Sequence, residues 1–259
     1  MLSLTEALST ISLRLERDSS FSVQFGRAQG QGLDEDPRKE VREYLLAQGF
    51  VQNMRHPEQI ITIYHSEGQL YIGLSLAWQN ISSWFAGRVT YAVREDTVSR
   101  AEFKLLEALD HFGLQLPAGG LSLDLGAAPG GWSKVCLDRG LRVIAIDPGE
   151  MAASLRQHVG LQHFRGTAQQ FLQDYQGGAD LLLNDMRLEV GESVEICLQA
   201  AQHLQPGALL FMTFKLPKNQ KMTPITSGRK ALATAFDVLH LKQLYHNRSE
   251  ITVIAKKNP

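Results

Sequence analysis

Residues 121–134 read LSLDLGAAPGGWSK. Apolar and small residues alternate around Asp124 with the period of a strand. The chain then turns through Gly126-Ala127-Ala128-Pro129-Gly130-Gly131, and a helical pattern starts near Trp132. In an open α/β sheet such a turn lies beyond the carboxyl end of its strand, where ligands bind. Glycine lets the backbone come close to a ligand, and Pro129 stiffens the turn. The competing reading is a tight βα turn whose glycines serve packing alone.

The next strand pattern ends VIAIDPG at 143–149, which puts Asp147 at its tip. Asp147 is placed to accept hydrogen bonds from ribose hydroxyls. The turn is not GxGxxG, and no Lys-Ser/Thr pair follows it, so it is no phosphate-cradling P-loop. Two strand-end carboxylates flanking a small-residue loop fit an adenosine-bearing ligand that lacks a pyrophosphate. The expected cofactor is S-adenosyl-L-methionine.

Working outward, residues 99–259 alternate between the two periods. Strand patterns lie at 121–126, 141–147, 161–165, 179–184, 207–215, 238–245 and 250–256. Helical patterns lie at 99–113, 130–140, 150–158, 167–175, 192–204 and 227–236. This order predicts an α/β fold: a mostly parallel sheet with helices on both faces. The last two strand runs are joined by a short turn and predict an antiparallel hairpin at one edge.

Residues 1–92 predict a separate small α+β unit. Ser3-x-x-Glu6 has the form of a capping box, followed by a stripe of Leu4, Leu8, Ile11 and Leu15. SFSVQFGR alternates like a strand, and Val41, Leu45 and Leu46 share a helix face. QIITIYHS and QLYIGLSLAW, joined through Glu67-Gly68, predict a hairpin. Trp78, Trp84 and Phe85 read as core or interface packing, with base stacking as the alternative.

Composition narrows the class. The 259 residues carry a net charge of −1, 44% hydrophobic residues and 20% charged ones, as a globular chain does. Cys136 and Cys197 are the only cysteines, so no disulfide framework exists and a reducing, cytoplasmic setting is expected. No CxxC or tight Cys/His cluster points to a metal; His158 and His163 read as surface residues. No apolar run is long enough to span a membrane, and the N-terminus lacks the form of a secretory signal. From Thr213 onward nine lysines and arginines face two carboxylates. That suits phosphates, although a solvated surface explains it equally well.

Four polar residues stand where the loops of the sheet converge. Lys104 lies in VSRAEFKLLEALDHF, where Ser99 and Glu102 form a capping box. Asp185 ends ADLLLND, Lys215 ends GALLFMTFK and Glu250 opens EITVIAKK. A lysine ending an apolar strand is costly to bury unless paired. Two lysines and two carboxylates at one sheet edge would balance. Taken singly, each also reads as a surface lysine, a helix cap, a snorkelling lysine or a solvated turn.

SRAEFKLLEAL, DLGAAPGGWSK, DMR, FKLP and RSEITV, in that order, resemble the motifs of the FtsJ-like ribose 2′-O-methyltransferases over about residues 98–257. DPGEMAASL, FKLPK and QLYHNRSEITV more narrowly resemble the bacterial large-subunit rRNA cytidine 2′-O-methyltransferases that carry a THUMP module. FSVQFGR and RHPEQIITIYHSEGQLYIGLSL resemble that RNA-binding module more loosely. The resemblance implies a Rossmann-like methyltransferase domain over 93–259 and a THUMP-like domain over 1–92. It implies a Lys104–Asp185–Lys215–Glu250 tetrad, with Lys215 as the base. Asp124, Gly126, Ala128, Pro129, Gly130, Gly131 and Trp132 would line the cofactor. Asp147 would hold its ribose, Ser99 would lie near its methionine end, and Asp185 near the methyl group. The family usually places an acidic residue after the third strand; FRGTAQQF offers Thr167 or Ala168 instead.

The expected partner is RNA, 23S rRNA in particular, gripped by Lys218, Lys221, Arg229 and Lys230 in KLPKNQKMTPITSGRK. Acidic residues outnumber basic ones in the N-terminal unit, so RNA contact there would rest on a local patch or on shape. Two rivals stay open. One is a methyltransferase with a non-RNA acceptor on the same fold. The other is a non-catalytic RNA-binding protein with a vestigial pocket. A lysine base also has to be neutral, and a neighbouring lysine would lower its pKa from about 10.4.

Overall fold

The computed structural model describes residues 4–29, 36–80, 82–216 and 222–259. It divides into two compact units, Met1–Thr90 and Tyr91–Pro259.

In the first unit, strands β1 (Phe21–Arg27), β2 (Gln59–Ser66) and β3 (Gln69–Leu76) form a sheet in that order, with β1 parallel and β3 antiparallel to β2. Helices α1 (Leu4–Ser12) and α2 (Pro37–Ala47) flank it. Leu8, Ile11 and Leu15 are buried with Val41, Leu45, Ile61 and Ile63. Ser3 lies outside the described residues. Glu67 and Gly68 both have positive φ, the backbone of a type I′ hairpin turn. Trp78 is not packed within its unit: it is 79% exposed. Phe85 does pack, its ring filling the space above Gly26 where a Cβ would stand.

The second unit holds a seven-stranded sheet. Its strands are β4 (Leu121–Leu125), β5 (Arg142–Ile146), β6 (Leu161–Phe164), β7 (Ala179–Asn184), β8 (Leu204–Lys215), β9 (Phe236–Lys242) and β10 (Glu250–Lys257). Their order is β6-β5-β4-β7-β8-β10-β9. The pairs from β6 to β8 are parallel; β10 runs antiparallel to both β8 and β9. The C-terminal hairpin is therefore present, with β10 inside and β9 at the edge. The chain builds outward from β4 to β6, then returns to add β7 and β8 on the other side. The order reverses between β4 and β7, and their carboxyl ends open a crevice there.

Two helical layers sandwich the sheet. Helices α3 (Ala101–Phe112) and α4 (Gly131–Leu137) cover one face with Leu105, Leu109, Trp132 and Val135. Helices α5 (Ala168–Asp174), α6 (Val190–Ala200) and α7 (Thr223–Leu232) cover the other with Phe171, Val194, Cys197, Ile225 and Leu232. Strand alternation then sorts the side chains. Leu210, Met212 and Phe214 of β8, with Ile251 and Val253 of β10, belong to the α5–α7 layer. Phe211 and Ile254 belong to the α3–α4 layer. By the same period of two, Thr213, Lys215, Glu250 and Thr252 face α3.

Some boundaries differ from the sequence reading. Residues 150–158 form successive turns, not a helix. The Ala152 N–H bonds Pro129 O, while Leu155 and His158 donate three residues back to Ala152 and Leu155. Met151 and Leu155 are buried as that periodicity suggested, but they serve as a lid on Gly130. Helix α7 starts at Thr223, because Pro224 suits a first turn, and Phe236 opens β9 in place of closing the helix. Strand β8 begins three residues before Gly207.

Candidate active site

A cavity of about 1210 Å³ occupies the crevice, larger than the usual single-ligand site of about 300–1,000 Å³. Asp124, Gly126, Pro129, Gly131, Asp147 and Thr167 line one end; Lys104, Asp185, Lys215 and Glu250 line the other. One space thus serves both residue sets.

The glycine turn is shaped by its neighbours. Gly126 has φ 73°, and a Cβ there would sit 2.5 Å from Met186 Cγ. At Gly131 an added Cβ would stand 2.3 Å from Ser99 Oγ, so α3 and α4 meet at their first turns only through this glycine. Ser99 Oγ accepts from Ala101 N at 3.3 Å, and Glu102 reaches back to Ser99 N at 3.1 Å. Ser99 lines the cavity beside these contacts. Trp132 ties the two helices together: its indole N–H donates to Ala101 O at 2.7 Å. Gly130 does not line the cavity. It stands at φ 110°, pressed by Leu155 and Met151, because the turn must reverse there before α4 begins.

Asp124 is buried, and its carboxylate takes a 2.6 Å hydrogen bond from Ser133 Oγ. Burial pushes its pKa up to about 7; Ser133 opposes this, while the Asp185 and Asp147 charges add to it. A buried carboxylate with no cationic partner among the described residues favours a ligand that carries positive charge. Asp147 receives Gly149 N at 2.7 Å and Ala128 N at 3.1 Å. These bonds fix the carboxylate against the Pro129 loop and leave further lone pairs on both oxygens. His163 Nε2 lies 3.0 Å from Asp147 O, so this half-buried histidine braces the strand end. Thr167 lines the cavity, but its hydroxyl accepts from Gln170 N at 3.2 Å, and its N–H donates to Gln170 Oε1. The polar groups of this position are committed to capping α5.

At the other end the four ionisable residues make one cluster. Lys104 Nζ reaches Asp185 at 2.9 and 3.1 Å and Glu250 Oε2 at 2.7 Å. Lys215 Nζ reaches Asp185 Oδ1 at 2.8 Å and Glu250 Oε1 at 3.0 Å. Antiparallel register sets Glu250 directly opposite Lys215. Sequence reasoning missed Thr213. Its hydroxyl accepts from Lys215 Nζ at 2.6 Å and donates to Asp185 Oδ1 at 2.7 Å. The available signal was a lone hydroxyl two residues before Lys215, hence on the same face. Burial pulls Lys104 down, but Asp185 and Glu250 outweigh it and the net direction is up. Burial likewise pushes Asp185 up, and Lys215 and Lys104 together hold it below the usual carboxylate range. The like-charge depression expected of paired lysines is thus outweighed at Lys104, because the carboxylates lie between them.

Arg229 and Lys230 are exposed on α7; Lys218 and Lys221 lie outside the described residues. Cys136 and Cys197 are buried and free. Burial pushes both thiols up, Cys197 to about 12, so neither is a ready nucleophile. Among the described residues no group of three potential metal ligands occurs, and no helix is long and apolar enough to cross a membrane.

The family model for FtsJ-like methyltransferases matches residues 97–252, which spans both ends of the cavity. The chain belongs to the FtsJ-like methyltransferase family. Among curated members it is 29% identical over 228 residues to the ribosomal RNA large subunit methyltransferase M of Pasteurella multocida. That match covers 82% of this chain and 62% of the relative. It is 34% identical over 184 residues to the protein of the same name from Laribacter hongkongensis, covering 66% and 51%. The chain therefore spans half to three fifths of the length of these relatives. The Methanococcus jannaschii fibrillarin pre-rRNA processing protein shares the fold, with TM-score 0.53 at 16% identity, over 62% of this chain and 77% of that one. FtsJ-like membership fits the mostly parallel sheet and its antiparallel edge.

Proposed function

We propose that this FtsJ-like chain transfers a methyl group from S-adenosyl-L-methionine to a ribose 2′-hydroxyl of RNA, with large-subunit 23S rRNA as the acceptor. The observation that carries the reading is the Lys104–Asp185–Lys215–Glu250 cluster on the same cavity as Asp124 and Asp147. The matched curated relatives, named for methylating large-subunit rRNA, support the choice of acceptor. We also read residues 1–92 as a THUMP-like RNA-binding module and place the protein in the cytoplasm.

The residues present suit that cofactor. Asp124, buried without a cationic partner, fits a ligand bearing ammonium and sulfonium charges. Asp147 would take the ribose hydroxyls. With Thr167 committed to its cap and the Gly166 N–H to Phe164 O, the Ala168 N–H at the first turn of α5 would meet the adenine. When bound, S-adenosyl-L-methionine supplies an electrophilic methyl group on sulfur.

The protein must then orient the 2′-hydroxyl and take its proton. Lys215 Nζ has three acceptors around it: Asp185 Oδ1, Thr213 Oγ1 and Glu250 Oε1. Those satisfy the three N–H groups of an ammonium. Loss of one proton frees a lone pair, and Lys215 then accepts the hydroxyl proton as general base. Lys104 stays charged between both carboxylates and offsets one of their two negative charges while Lys215 is neutral.

The test uses tritiated methyl donor and rRNA lacking the native modification, with wild type beside Lys215→Ala. Label in a ribose 2′-O position with wild type only, at unchanged cofactor affinity, is expected. Near-normal turnover by Lys215→Ala overturns the base assignment. Absence of label with wild type overturns the proposed acceptor.

A further inference from the structure

Arg100, Arg187 and Arg248 come from three separate segments and line the same cavity. All three are exposed. Among the described residues none of the three guanidinium groups makes an ion pair or a hydrogen bond; Arg248 is held through its backbone oxygen, which accepts from Gln243 Nε2. Some exposed cations of this unit are engaged, as Arg165 is with Glu150, while Arg229 and Lys230 on α7 share the lack of an ion pair among the described residues but do not line the cavity. Unpaired guanidinium groups are forks whose geometry matches phosphate oxygens.

Their positions assign them to one end of the cavity. Arg100 precedes Lys104 by one helical turn, Arg187 follows Asp185 by two residues, and Arg248 precedes Glu250 by two. Three of the four tetrad members, Lys104, Asp185 and Glu250, thus have an arginine within four residues, Arg100 standing also next to Ser99, while Lys215 has none. Asp147 and Thr167, which mark the other end, have none within two residues except Arg165, already held by Glu150.

Arg248 carries a second signal. Its backbone stands at φ 55°, ψ −105°, a region unfavourable to any residue with a Cβ. The surroundings impose it. Glu107 of α3 accepts from Tyr245 N, His246 N and His246 Nδ1, each at 2.8 Å. Asn247 Oδ1 accepts from Leu244 N at 2.7 Å and Thr252 Oγ1 at 2.9 Å. A network that holds a strained, unpaired arginine at the rim of a cavity points to use at that place.

We propose that Arg100, Arg187 and Arg248 form a phosphate-binding collar for an RNA strand, gripping the backbone beside the nucleotide offered to Lys215. The collar rests on the reading of the acceptor as RNA. Glu107 acts in it as a positioning residue for Arg248.

The test is binding of a fluorescein-labelled single-stranded RNA oligonucleotide, followed by anisotropy over a range of salt. Each phosphate contact adds about 0.7 to the slope of log affinity against log salt. Each single alanine variant flattens the slope by about 0.7, and the triple variant by about 2. Calorimetry with S-adenosylhomocysteine reports whether the cavity's other end is intact. Glu107→Gln reproduces the Arg248→Ala slope and adds nothing to it in the double variant; additive losses remove Glu107 from the assignment. An unchanged slope in the triple variant overturns the collar, as does an absence of RNA binding by wild type at low salt. Displacement of RNA by inorganic pyrophosphate at matched ionic strength overturns it too, in favour of a compact anion. If the slopes flatten but wild type methylates no RNA, the acceptor reading fails and the collar stands. If wild type methylates RNA and the slopes hold, the collar fails alone.

Discussion

Replacing Asp185 by Asn tests whether the tetrad is a structural as well as a chemical unit. The carboxylate is 15% exposed and serves Lys104, Lys215 and Thr213 at once. Removing one partner of a buried ion pair costs about 3–5 kcal/mol, and the remaining access to water puts this case near the lower value, about 3 kcal/mol. For a unit of this size each kcal/mol shifts Tm by about 2–4 °C, so Asp185→Asn lowers it by roughly 6–12 °C. The pH dependence sharpens the test. Lys215 and Lys104 hold the folded carboxyl below its ordinary value, so its contribution is complete above about pH 4. It is lost only as pH falls through that lower folded value. Urea denaturation of both proteins from pH 8 downward should show a constant difference to pH 5 that shrinks below 4. A difference under about 1 kcal/mol, or one that already fades between pH 7 and 5, refutes the argument.

Thr213→Val removes a hydroxyl bonded to two charged groups, worth about 1.5–3 kcal/mol, and should slow single-turnover methylation about 10- to 100-fold. Thr213→Ser should recover most of the rate, with cofactor affinity unchanged in both. Gly131→Ala drives a methyl to 2.3 Å from Ser99 Oγ, so α3 and α4 must part at about 1–3 kcal/mol; a wild-type urea midpoint would contradict this. Asp124→Asn removes a carboxyl whose folded pKa is about 7 against about 3.9 unfolded. The folded protein alone holds that proton between the two values, so wild type loses stability as pH rises from 4 to 7. The variant should therefore gain on wild type by about 4 kcal/mol between pH 4 and pH 8, and parallel denaturation curves that never converge would count against it.

Local chemistry made much of the site legible. The turn at 126–131 announces itself because small residues and a strand-end carboxylate have no cheaper use in that order. Lys215 stood out because an ammonium at the end of an apolar strand needs partners. Three-dimensional neighbours decided the remainder. The helical pattern at 150–158 failed because Pro129 O, distant in sequence, captures the Ala152 N–H. Gly130 was taken for a ligand contact, yet its conformation answers Leu155 and Met151, which no local pattern reveals. Thr213 was passed over because a buried threonine in a strand is common, and only its register opposite Thr252 and beside Lys215 gives it a task. Trp78 follows the same logic in reverse: large and aromatic, it invites burial, but it lies past the end of β3 in a short 3₁₀ turn, Ala77–Gln79, none of whose residues is buried.

The place of β10 has a consequence for the order of events during synthesis. Among the described residues it follows nine other strands, yet it sits between β8 and β9, and β9 has no other partner in the sheet. Until β10 emerges from the ribosome, β8 presents an open margin, β9 is unattached, and the Glu250 carboxylate that bridges Lys104 and Lys215 does not exist. The nascent chain can close its cofactor end around β4 and β5 while the acceptor end is still missing a wall. The four-residue cluster is therefore completed only when β10, the last strand among the described residues, docks between β8 and β9.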